Sequence, residues 1–151
     1  MPRVYPDQLS PRTGSSYPEP FARLAAARSR LALGHTGGLT DFGVNLTRLP
    51  PGTWSSQRHW HSHEEEFVYV LSGELVLVTD AGEEILRAGD CAAFPKNVPD
   101  GHQLINRSDT TAVLLEIGTR RDDVDVCTYP DIDLMADAQG YSHRDGTRYP
   151  G

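Results

Sequence analysis

Lysine is nearly missing from this chain: Lys96 stands alone among fourteen basic residues, and the rest are arginine. A Schiff-base mechanism therefore has one candidate, and its setting reads as a solvated loop. Cysteine is equally scarce. Cys91 and Cys127 form no C-x-x-C pair and are too few for a disulfide framework, which fits a reduced, cytoplasmic protein. Positive charge is in deficit, with fourteen basic against twenty-one acidic residues and a net charge of −7, so a phosphate-tracking surface for nucleic acid is disfavoured. No helix-turn-helix pattern or internal repeat stands out. No apolar run approaches the ~20 residues of a membrane span, and the N-terminal stretch lacks a signal-peptide core, so the expectation is a soluble protein that is not exported and meets no membrane.

What is present is a succession of short strands. With 151 residues the chain can form one domain that buries roughly 70% of the surface its unfolded form exposes. Residues 42–49, 57–61, 67–71, 75–79, 84–87, 91–94, 102–106 and 111–118 read as strand-like runs, with turn residues between them. Even spacing of short strands points to an all-β sandwich or barrel. Several runs, notably F-V-Y-V-L, are apolar on both faces, so a second layer is expected outside: the proline-rich arm, the last third of the chain, or a second subunit. Five prolines before residue 21 forbid a regular helix and favour an extended arm. Residues 21–28 have the alanine content of a short helix, residues 29–33 could start a strand, and Gly34 to Thr40 reads as a loop. After Gly118 the pattern dissolves, with residues 124–128 as one last strand and a polar, irregular tail.

The stretch Arg58 to Gly73, R-H-W-H-S-H-E-E-E-F-V-Y-V-L-S-G, concentrates the chemistry. Side chains two apart on a strand share a face, so His59 and His61 converge, and a hairpin can bring Glu66 beside them. His102 is the candidate fourth ligand. His63 is its rival, expected in a solvated turn, and Glu64 and Glu65 are expected as surface charges. Gln57 and Asn106 share the inward faces of their strands and could orient a ligand or substrate. Trp54, Trp60 and Tyr69 are expected in outer-layer or interface packing.

These residues carry a resemblance. Gly52, His59, His61, Glu66 and Gly73 look like the first motif of the cupin superfamily, G-x(5)-H-x-H-x(3,4)-E-x(6)-G, with one extra residue before His59. Gly89, Pro95, His102 and Asn106 resemble the second, G-x(5)-P-x-G-x(2)-H-x(3)-N, except that Asn97 replaces a glycine and His102 comes two residues late. Asparagine is the next best residue for a left-handed turn, so the longer loop 96–101 alters the path, not the fold. The resemblance is to small single-domain bacterial cupins (RmlC-like jelly rolls) of largely unassigned activity. It implies a double-stranded β-helix, with residues 1–33 as arm, 42–118 as barrel and 119–151 as extension. It also implies His59, His61, Glu66 and His102 as ligands of one divalent metal.

Three imidazoles and a carboxylate form a borderline N/O donor set. Zinc would be closed by four such ligands, whereas octahedral iron(II), manganese, nickel or cobalt would keep two positions open. The expected function is a small metalloenzyme acting on a polar, metal-chelating molecule, by isomerase, lyase or oxygenase chemistry. The alternative is a non-catalytic binding or sensing module in which the metal anchors the ligand. Lys96 is kept as a further polar candidate near the site, and a homodimer is expected from the doubly apolar strands and the arm.

Overall fold

Strand-forming alternation survives into the structure almost run for run, because each apolar set has a face to bury. The computed structural model describes residues 2–150. In chain order the strands are β1 (Arg12–Thr13), β2 (Ser29–Ala32), β3 (Phe42–Leu49), β4 (Trp60–His61), β5 (Glu66–Ser72), β6 (Glu74–Thr79) and β7 (Gly82–Arg87). They continue with β8 (Cys91–Phe94), β9 (Gln103–Ile105), β10 (Ala112–Thr119), β11 (Cys127–Tyr129), β12 (Leu134–Asp137) and β13 (Gly140–Ser142). One sheet runs β1-β2-β3-β10-β5-β8, a second β13-β12-β11-β4 and a third β7-β6-β9, all antiparallel. The result is the all-β barrel expected from the sequence.

The core lies between the first and third sheets. Leu49, Val68, Val70, Ala112 and Leu114 from one side meet Leu75, Leu77, Leu86 and Leu104 from the other, all buried. A second cluster forms where Tyr17 and Phe21 of the arm pack with Cys127, Tyr129, Leu134, Tyr141 and Tyr149. Arm and tail therefore cover one flank together. The outer face of β5 stays bare, with Phe67, Tyr69 and Leu71 at 36%, 39% and 44% exposure.

Four local expectations change. Residues 21–28 form only a 3-10 turn at Arg23–Ala25 rather than a short helix; Pro18 and Pro20 stand just ahead, and so short a segment pays helix nucleation with little return. A four-residue helix, Leu33–Thr36, opens the expected loop, with the Thr36 hydroxyl donating to the Ala32 carbonyl at 2.8 Å. The strand expected over 57–61 shortens to β4, because the Gln57 N–H donates to the Tyr17 hydroxyl instead of a neighbouring strand. The tail is more regular than its polar sequence suggests, since β12 and β13 form a hairpin on β11.

Candidate metal centre

The four predicted residues come together, but not through the expected hairpin: β4 pairs with β11, whereas β5 pairs with β10 and β8 in another sheet. His59 and His102 exchange both backbone N–H···O bonds (3.1 and 2.9 Å) as an isolated bridge, His61 sits on β4, and Glu66 opens β5. Glu66 collects all three imidazoles: its Oε1 lies 3.1 Å from His59 Nε2 and in contact with His61 Nε2, and its Oε2 lies 2.6 Å from His102 Nε2. Asn97 takes the left-handed conformation, with φ 57°, and its N–H donates to the His61 carbonyl at 2.8 Å, so the long loop is pinned beside the site. Arg58 ties the same loop down by donating to the Gly101 carbonyl at 3.1 Å and to both Asp131 oxygens at 2.8 Å.

The surroundings decide which nitrogen each ring presents. His59 Nδ1–H donates to the Gln57 carbonyl at 2.8 Å, an atom that can only accept. His61 Nδ1–H faces the Asp125 carboxylate at 2.6 Å. Phe94 stacks on the His102 ring, with centroids 3.6 Å apart and planes 3° from parallel. With Nδ1 holding the proton in His59 and His61, their Nε2 lone pairs point at a carboxylate that has only lone pairs to offer. Acceptors facing acceptors need positive charge between them, a proton or a metal ion, and the donor set fits a divalent metal.

Charge distribution agrees. Burial pushes the Glu66 carboxyl up, yet the three imidazoles outweigh it and hold it well below the ordinary glutamate range. Burial likewise opposes charging His61, but Glu66 and Asp125 overcome it and lift its pKa to about 9. At His102 burial prevails and the pKa falls.

The other sequence candidates fall elsewhere. The Gln57 side chain donates to the Phe21 carbonyl at 3.0 Å and braces the arm; only its main-chain oxygen serves the site. Asn106 is fully buried and donates to the carbonyls of Leu49 (2.7 Å) and Thr110 (2.8 Å), a structural role. Lys96 and His63 are exposed, and Trp60 lines a small cavity beside His61 and His102 rather than an outer layer. Glu64 is a correction: its side chain is 16% exposed and faces the cavity, 3.8 Å from His61 Nδ1, instead of lying on the surface as a charge. Burial, helped by Asp125, raises its pKa. Asp125 had no signal at all in the sequence. Among the described residues, His61, Glu64 and Asp125 form one potential ligand group, and His59 and His61 with the buried Cys127 another, but burial pushes the Cys127 thiol far up and disfavours the thiolate.

The site opens into a cavity of about 280 Å³ whose wall includes Arg30, Asn45, Glu64, Glu116 and Arg120. A cupin domain model matches residues 45–118. Across 99% of this chain and 98% of its own, a sugar phosphate isomerase of the cupin superfamily from Silicibacter pomeroyi is 45% identical, with a TM-score of 0.92. The chain belongs to the cupin superfamily. A second structure, from Acidithiobacillus ferrooxidans and provisionally named a sugar phosphate isomerase, is 32% identical over 83% of this chain and 82% of its own, with a TM-score of 0.72. Protein SchB of Streptomyces halstedii is 34% identical over 80 residues, 53% of this cupin and 56% of SchB, so the chain spans little more than half of that relative.

Proposed function

We propose that this cupin is a metal-dependent isomerase of small sugar phosphates, with His59, His61, Glu66 and His102 holding one divalent metal. The observation that carries the reading is the convergence of three imidazole nitrogens on one carboxylate in the wall of a small cavity. The name of the relative that is 45% identical along nearly the whole chain supplies the substrate class. When bound, the metal would polarise a hydroxy-carbonyl substrate as a Lewis acid. Iron, manganese, nickel or cobalt suits that role better than zinc, which four protein ligands would close.

The protein's own groups do the rest. Asp125 and the Gln57 carbonyl fix the rings of His61 and His59, and Phe94 fixes His102. Glu64 Oε2 accepts the Arg121 N–H at 2.7 Å, and Glu64, which lines the cavity, is the candidate proton carrier for transfer between adjacent carbons. The exposed Phe67, Tyr69 and Leu71 form the face of a homodimer, and the cytoplasm, where Cys91 and Cys127 stay reduced, is its setting.

Elemental analysis of protein purified without chelator, beside His61→Ala, tests the centre: about one equivalent of metal is expected in the wild type and little in the variant. Absence of metal in both, with none taken up on reconstitution, sinks the proposal. Metal with isomerisation of an aldose or ketose phosphate supports it, whereas tight binding without turnover would make the protein a binding module.

A further inference from the structure

Arginine is abundant in this chain, but the guanidiniums around the cavity differ in what they face. Arg30 is spoken for: its Nε and Nη2 donate to the Glu116 carboxylate at 2.9 and 3.3 Å. Arg121, next along the chain, reaches Asp123 at 4.0 Å. Arg120 lines the cavity, and among the described residues its guanidinium has no hydrogen-bond or ion-pair partner. Its main-chain N–H donates to the Asp41 carbonyl at 3.0 Å, so the residue is anchored where β10 runs off the end of β3.

The floor beneath that guanidinium is cleared of side chains. Register across the first sheet sets Gly43 of β3 opposite Gly118 of β10, and Gly118 opposite Glu66 of β5. A Cβ on Gly43 would lie 2.8 Å from Arg120 Nη2 and 3.1 Å from Nε, so the guanidinium lies against bare backbone that only glycine provides. A Cβ on Gly118 would lie 3.1 Å from the Glu65 carbonyl and 3.7 Å from the Glu66 side chain. The row Gly43, Gly118, Glu66 thus has a cation over one end and the candidate metal-binding carboxylate at the other, with no side chain contributed by the residue between them. Two interstrand spacings, roughly 10 Å, separate the ends. On the same inward face of β3, Asn45 also lines the cavity, and among the described residues its side-chain amide has no hydrogen-bond partner.

We infer that Arg120 is the anion-recognising residue of this site, gripping the phosphate of a phosphate monoester whose far end reaches the His59–His61–Glu66–His102 cluster across the two glycines. The inference rests on the metal-site reading for the far end, but not for Arg120 itself. A protein of net charge −7 repels anions in general, so a local cation with no internal carboxylate is what admits one. Guanidinium suits the task because its planar fork meets two phosphate oxygens at once. The span selects a short chain, with a chelating hydroxy-carbonyl at one end and a phosphate at the other.

Calorimetric titration of ribose 5-phosphate, ribose, inorganic phosphate and acetate tests this on protein as purified and after metal reconstitution. The variants are Arg120→Gln, Gly43→Ala and, as a control from the exposed outer face of β3, Arg48→Gln. Arg120→Gln is expected to weaken both phosphate probes about tenfold or more while leaving ribose unchanged. Gly43→Ala, which keeps Arg120 but displaces its guanidinium, is expected to shift the same probes in the same direction, and Arg48→Gln to shift none. Wild-type protein that binds no phosphate, free or esterified, overturns the inference, as does an Arg120→Gln protein that binds both phosphates unchanged. Acetate bound more tightly than phosphate overturns the choice of a phosphate. Protein that takes up no metal on reconstitution, yet whose phosphate binding depends on Arg120, would sink the metal reading alone.

Discussion

Followed along a single face, the same strands build two unlike ends of the barrel. On β3 the inward positions run Gly43, Asn45, Thr47, Leu49; on β5 they run Glu66, Val68, Val70; on β10 they run Gly118, Glu116, Leu114, Ala112. One end is dry and close-packed, closed by leucines of β6, β7 and β9. The other carries imidazoles, carboxylates and arginines around a cavity. A register shift between Val113 and Leu114 of β10 marks the dry end, and the rest of the contrast lies in side chains. The dry end fixes the register, and register alone then delivers Glu66 to the histidines. A one-residue slip would turn every one of these side chains to the other face.

Breaking the dry end is expected to have the largest effect. Leu114→Ala, at a position with no solvent exposure, should cost about 2–5 kcal/mol in chemical denaturation while metal per folded molecule stays constant. Loss of metal at unchanged stability would show that the two ends are not separable in this way. At the polar end, Asp125→Asn should weaken metal affinity about 10–100-fold in a chelator competition, because His61 loses the carboxylate that orders its ring. An unchanged affinity would leave His61 held by packing alone. Outside both ends, Tyr69→Arg is expected to dissociate the proposed dimer, read by light scattering, without altering metal content. A dimer that survives would move the interface off β5. Smallest of all, His63→Ala should stay within ~0.5 kcal/mol of wild-type stability and keep its metal, since this ring is exposed. A variant that comes out metal-free would make His63 a ligand in place of one of the four.

Period-two alternation made the barrel strands readable from sequence, and the spacing of His59, His61, Glu66 and His102 made the cluster readable, although the hairpin expected to join them does not form. Residues that act across the chain were not readable. Asp125 reaches His61 only because β11 pairs with β4, and no local pattern links two residues 64 positions apart. Glu64 was misjudged as a surface charge because alternation holds for extended backbone, and Glu64 sits between β4 and β5 rather than within either. The short helix expected over 21–28 failed for a local reason, too few residues between Pro20 and β2. Asn97 was read correctly because its task, a left-handed turn, is a property of one residue.

The bond from the Gln57 amide to the Tyr17 hydroxyl makes the arm a tether on the segment that carries His59 and His61. Gln57 is gripped on three sides: its N–H by Tyr17, its side-chain amide by the Phe21 carbonyl, and its own carbonyl by the His59 ring. A protease that clips the exposed residues ahead of Ser16 would leave that grip whole. A cut beyond Phe21 would free His59 to wander, although no ligand had been touched. Deuterium uptake at this one amide would therefore act as a gauge of whether the arm is seated, read far from the chemistry it governs.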